Sequence, residues 1–144
     1  MDVIIYTDPN GTLMKVIPVK GFSAEAVLAK DVPNDASGAR IVDDSELPSR
    51  VLRGAWKDDG SIGIDLPKAK EIAHTIRRAK REAYMKDNIE LINKDAIGIP
   101  LVSGQSVVTA KQDNADYKAN IDDVMQTTID AARSEGGILG ALGL

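Results

Sequence analysis

The apolar residues of this chain fall into two rhythms, short runs divided by turn signals up to residue 65 and a three-to-four-residue recurrence beyond it. Val3-Ile4-Ile5-Tyr6 is β-branched and aromatic, a strand composition. Asp8-Pro9-Asn10-Gly11 follows as a turn, because Pro presets its own φ and Asn-Gly accepts positive φ. Thr12 to Val19 is then the returning strand of a hairpin. Ser23 can cap a short helix carrying Val27 and Leu28, which must stop before Val32-Pro33 because Pro disfavours a helical residue ahead of it. Gly38 to Val42 reads as another strand, and Asp43 to Pro48 as a turn capped by its own carboxylates and hydroxyl. Leu52 to Lys57 and Ile62 to Ile64 flank Asp58-Asp59-Gly60-Ser61, a second hairpin pattern.

At Asp65 the period changes. Asp65 can cap a long helix, with Pro67 in the first turn where a missing N–H costs nothing. Ala69, Ile72, Ile76, Ala79 and Ala83 recur at helical spacing and predict a seam on one face, whose alanines allow close approach. Met85, Ile89 and Ile92 continue an apolar stripe displaced around the axis, and the helix should fade near Asn93. Ile97 to Thr109 reads as an irregular or extended connection. A second helix is expected from about Asn114 to Ser134, with Ile121, Val124, Met125, Thr128 and Ile129 as its apolar side and Glu135-Gly136-Gly137 as its stop. The closing run Ile138 to Leu144 is apolar and uncharged in its side chains. It either folds back onto its own chain or inserts into a neighbour.

The predicted class is therefore α+β: a small strand-rich module over 1–65, a long basic amphipathic helix over 66–95, and a linker, second helix and apolar tail over 96–144. A length of 144 residues suits one ordinary domain or a small one with a helical appendage. Aromatics supply only 3% of the residues, so the core must come from Ile, Val, Leu and Ala and is thin enough for a partner's surface to complete it.

Charge adds a further layer. Residues 1–66 carry 7 basic and 11 acidic groups, residues 67–95 carry 8 and 5, and residues 96–144 carry 3 and 6, giving −4, +3 and −3 in turn. A basic middle between acidic ends suits docking between copies or onto another protein, and equally a solvated helix face.

Little in the chain resembles a chemical site. Cysteine is absent, which removes disulfides, thiolate nucleophiles and sulfur-ligated metals. His74 is the only imidazole and reads as an edge residue of the long helix. Asp43, Asp44 and Glu46 lack the glycine and distant Glu of a calcium loop and read as a capped turn. No phosphate loop or nucleophile elbow occurs, so the expectation is a protein that is not an enzyme and needs no cofactor. The RRAKR segment at 77–81 is the sole basic cluster, too little with acidic ends and few stacking rings to predict nucleic-acid binding. No apolar run approaches a membrane span, and the opening MDVIIYTD is too short and acidic for a signal peptide. Maturation in a cytoplasm and no membrane contact are expected.

Four pieces of the first 85 residues, in order, resemble small proteins encoded by tailed bacteriophages and prophages, often near tail-fibre genes. After an opening strand-turn-strand come AKDVP (Ala29 to Pro33), IVDDSELP (Ile41 to Pro48), AWKDDG (Ala55 to Gly60), and a capped basic helix, IDLPKAKEI followed by IRRAKR (Ile64 to Arg81). The remainder, with its acidic second helix and apolar tail, departs from that pattern. The resemblance implies a virion structural protein, a minor tail, baseplate or fibre-adaptor subunit that is a homo-oligomer and touches other phage structural proteins. A tail-fibre assembly chaperone that leaves the finished particle, or a capsid cement protein, would share these traits. The resemblance carries no catalytic residue. The candidate partner-binding residues are Ile72, Ile76, Ala79 and Ala83 on the helix seam and Ile138, Leu139, Leu142 and Leu144 in the tail.

Overall fold

The computed structural model describes every residue, Met1 to Leu144. The fold is α+β and comprises two compact units, Met1–Ala69 and Lys70–Leu144.

The first unit is built on an antiparallel sheet of β1 (Asp2–Thr7), β2 (Leu13–Val16) and β3 (Ser37–Asp43), with β1 in the middle. The predicted hairpin joins β1 to β2: the Asp8 carboxylate accepts from the N–H groups of Asn10 and Thr12, and Gly11 takes the left-handed φ of +83°. Strand period sends successive side chains to opposite faces. Val3, Ile5, Leu13 and Val42 point to one face and Ile4 to the other. Ile4 packs with Ala24 and Val27 of α1 (Ala24–Asp31), the helix capped by Ser23. The opposite face meets Trp56, Leu47, Ile62 and Ile64, brought there by the hairpin of β4 (Trp56–Asp58) and β5 (Ile62–Ile64). A helix, a sheet and a small hairpin thus form three layers around a sheet with no polar side.

Two local expectations change. The returning strand ends at Val16, short of Val19, because Pro18 cannot donate to a ladder. Leu52 to Ala55 is not strand: Arg50–Ala55 forms a 3₁₀ helix capped by Ser49, and extended backbone starts only at Trp56. Leu52 and Ala55 are both buried, and the backbone kinks at Leu52 (φ −101°, ψ 22°), dividing the segment into two short turns. The Asp43 turn is as expected, a capping box in which Asp43 accepts from Ser45 and Glu46 accepts from the Asp43 N–H.

Helix α2 (Leu66–Ala96) starts in the first unit, where the Asp65 carboxylate accepts from the N–H of Lys68. It runs past Asn93 and forms the backbone of the second unit. There α3 (Val107–Tyr117), a π turn (Lys118–Asp122) and α4 (Asp123–Ala131) follow one another with helical backbone at both joints. They run antiparallel to α2: Asn88 meets Asn114, Tyr84 stacks on Tyr117 with ring centroids 4.1 Å apart, Arg77 meets Asp122 and His74 meets Asp130. The second helical stretch therefore starts at Val107, capped by Ser106, well ahead of Asn114. The Gly136-Gly137 pair does not stop a helix. It lies inside α5 (Glu135–Ala141), where a Cβ on Gly137 would sit 3.3 Å from the Ala132 Cβ, so the glycine permits a close approach.

Candidate protein-interaction face of the helical unit

Helix α2 presents two faces within its unit. The covered face carries Ala73, Arg77, Arg81, Tyr84 and Asn88, spaced four or three apart. Ala73 is fully buried, and Arg77 donates to the Asp122 carboxylate at 2.8 Å while Arg81 donates to its other oxygen at 3.3 Å. Arg77 Nε also donates to Nδ1 of His74, whose Nε2 lies 2.7 Å from the Asp130 carboxylate. Lys70 donates to the Asp130 carbonyl and Lys80 to the Leu142 carbonyl. The basic residues of α2 are thus partly consumed inside the unit, tying α4 and α5 to it, and do not form one solvated stripe.

The predicted seam divides: its first member, Ala69, is buried, whereas its later members lie on a different face. Ala79 and Ala83 are exposed and, with Glu82, Lys86 and Ile89, line a shallow groove along α2. Ile72 and Ile76 are half-buried. The seam follows hydrophobicity alone. The interior instead selects Ala73 and Arg77, because a guanidinium with a buried carboxylate opposite it can be enclosed. Ile89, read as part of a displaced stripe, joins the groove.

The tail residues separate. Ile138 and Leu142 are enclosed by their own chain and Leu139 is half-buried, so the self-docking alternative describes them. Ile138 and Leu142 offer no surface to a partner. Leu144 is exposed. Of the eight candidates, only Ala79 and Ala83 share an open groove.

Along the second helical stretch the inward residues are Asn114, Tyr117, Asp122, Met125 and Ile129, whereas the expected Ile121 and Val124 are exposed. The step from Tyr117 to Asp122 is five residues, one more than an α-helix allows. The π turn inserts that residue and rotates the following helix by one position. Asp122 comes inward in place of Ile121 and meets Arg77.

The acidic cluster of the first unit is internally neutralised. Ser45 and the N-terminal ammonium hold the Asp43 carboxyl well below the usual carboxylate range. Lys15, whose ammonium bonds directly to Asp44, lowers the Asp44 carboxyl likewise. No three His, Cys, Asp or Glu side chains converge in a metal-ligating group, and no helix is long and apolar enough to cross a membrane.

Compared with known proteins, the chain matches no family model, no curated sequence and no solved structure.

Proposed function

We propose that the protein is a bacteriophage virion structural protein, a minor tail, baseplate or fibre-adaptor subunit that works through contacts with other polypeptides. The observation that supports a contact role is the open groove on α2. Its other face is filled by α3, α4 and α5, yet Ala79, Ala83 and Ile89 stay in water on a helix fixed by ion pairs and hydrogen bonds. A rigid helix with an apolar groove and charged edges is a form that protein partners recognise. The tail setting rests on the ordered succession of AKDVP, IVDDSELP, AWKDDG and IDLPKAKEI.

These pieces make the first unit's fold. Trp56 fills one sheet face, Asp43 closes a capping box, Asp58 binds Arg40, and Asp65 starts α2. They are scaffold residues, which leaves partner recognition to the second unit.

Mass spectrometry of purified particles tests this reading, with the chain expected at a fixed stoichiometry. Its consistent absence from particles, together with insoluble fibre protein when the gene is omitted, would replace the proposal by the assembly-chaperone reading.

A further inference from the structure

We propose that the α2 groove seats a second copy of this same chain, the two α2 helices lying antiparallel about a two-fold axis level with Tyr84. The inference rests on the contact reading above and names its partner. Glu82 lies two residues before that level and Lys86 two residues after it, each about 3 Å along the helix. In an antiparallel pair Glu82 of one copy stands beside Lys86 of the other, and the two-fold makes this contact twice. The same operation brings Ala79 level with Ile89, so a small side chain faces a large one. A parallel pair would set Glu82 against Glu82 and Lys86 against Lys86, which is repulsive.

Side chains support the same pairing. Glu82 and Lys86 make no ion pair within the chain, although they lie four residues apart on one helix. Both line the groove. Ala79 and Ala83 between them let helix axes approach to the short end of the usual 8–10 Å. Ile89 then covers the alanine surface of the other copy. The interface is isologous, so it closes at two copies and leaves the remaining surface for other partners.

The test is sedimentation equilibrium of the full chain, with helicity checked by circular dichroism. Wild type should sediment at twice the 15.4 kDa chain mass as concentration rises. Glu82→Lys and Lys86→Glu each turn two attractive contacts into repulsive ones and should weaken association by about tenfold. The double swap E82K/K86E restores the charge pattern and should recover wild-type association.

Because the chain has no cysteine, a second measurement is clean. Glu82→Cys mixed with Lys86→Cys should give a disulfide-linked heterodimer in excess over either homodimer. A monomer at every concentration, a double swap no better than the single ones, or homodimers in excess would overturn the pairing. Chain recovered from particles but monomeric in solution would sink the pairing alone. A dimer never found in particles would sink the virion reading alone.

Discussion

Asp122→Ala removes the acceptor from two guanidinium groups inside the helical unit, with consequences that can be worked from the geometry. The Asp122 side chain is 1% exposed, that of Arg77 is 7% exposed and that of Arg81 is 30% exposed. Arg81 can turn to water when its acceptor goes. Arg77 cannot, and keeps only the Nδ1 of His74 at 3.3 Å. Removing one member of a buried ion pair strands its partner's charge and costs about 3–5 kcal/mol. The surviving His74 contact places the expected loss near about 3 kcal/mol. Replacing both charges, as Arg77→Met with Asp122→Leu, removes the stranded cation and should return stability to within about 1 kcal/mol of wild type. Urea unfolding followed by far-ultraviolet circular dichroism measures all three proteins. A loss below about 1 kcal/mol for Asp122→Ala would refute the reasoning, since that is the behaviour of a solvated surface pair.

Three further outcomes follow from other contacts. Ile138→Ala should cost about 2–4 kcal/mol in a thermal or urea melt because Ile138 is fully buried, whereas Leu144→Ala should change stability by less than about 0.5 kcal/mol. Equal effects would mean that the tail is not anchored as described. Gly38→Ala should destabilise the first unit by about 1 kcal/mol or more, read by fluorescence of the sole tryptophan, Trp56. Gly38 has φ +66° and an added Cβ would lie 3.3 Å from the Asp58 carboxylate that binds Arg40. Acid should weaken the same unit. The Arg40 hydrogen bond lowers the Asp58 carboxyl, and Asp43 and Asp44 are also lowered, so each is more acidic folded than unfolded. Their contribution is complete above the unfolded carboxylate range near about 4 and is lost as pH falls below it. A urea midpoint by Trp56 fluorescence that stays level below about pH 4 would contradict this, and Asp58→Asn should remove part of the slope.

Much of the fold could be read from local chemistry. The turn at Asp8-Pro9-Asn10-Gly11, the Ser23 cap, the Asp43 capping box and the Asp65 cap each depend on residues within four positions of one another, and all form. Arg50–Ala55 was obscured because a 3₁₀ helix burying Leu52 and Ala55 has too short an apolar pattern to distinguish from a strand. The face of α2 was harder. Ile72, Ile76, Ala79 and Ala83 make the better hydrophobic stripe, and no local signal says that Arg77 will be enclosed. Its carboxylate stands 45 residues away, behind a π turn that no turn residue announces. The spacing of Ala69, Ala73 and Arg77, four apart and compact at its start, was the available hint. Gly136-Gly137 misled for a related reason, since a glycine that admits a neighbouring backbone looks the same in sequence as one that ends a helix.

The π turn makes backbone winding, and not only residue type, a determinant of this interior. Were the Lys118–Asp122 segment to keep all of its residues but wind as a straight α-helix, aliphatic Ile121 and Val124 would come against α2 in place of the acid. Arg77 would then face hydrocarbon. The π turn takes up one surplus residue: removing one of the three residues after Tyr117 would set Asp122 four positions beyond it, still inward, on an unbroken α-helix.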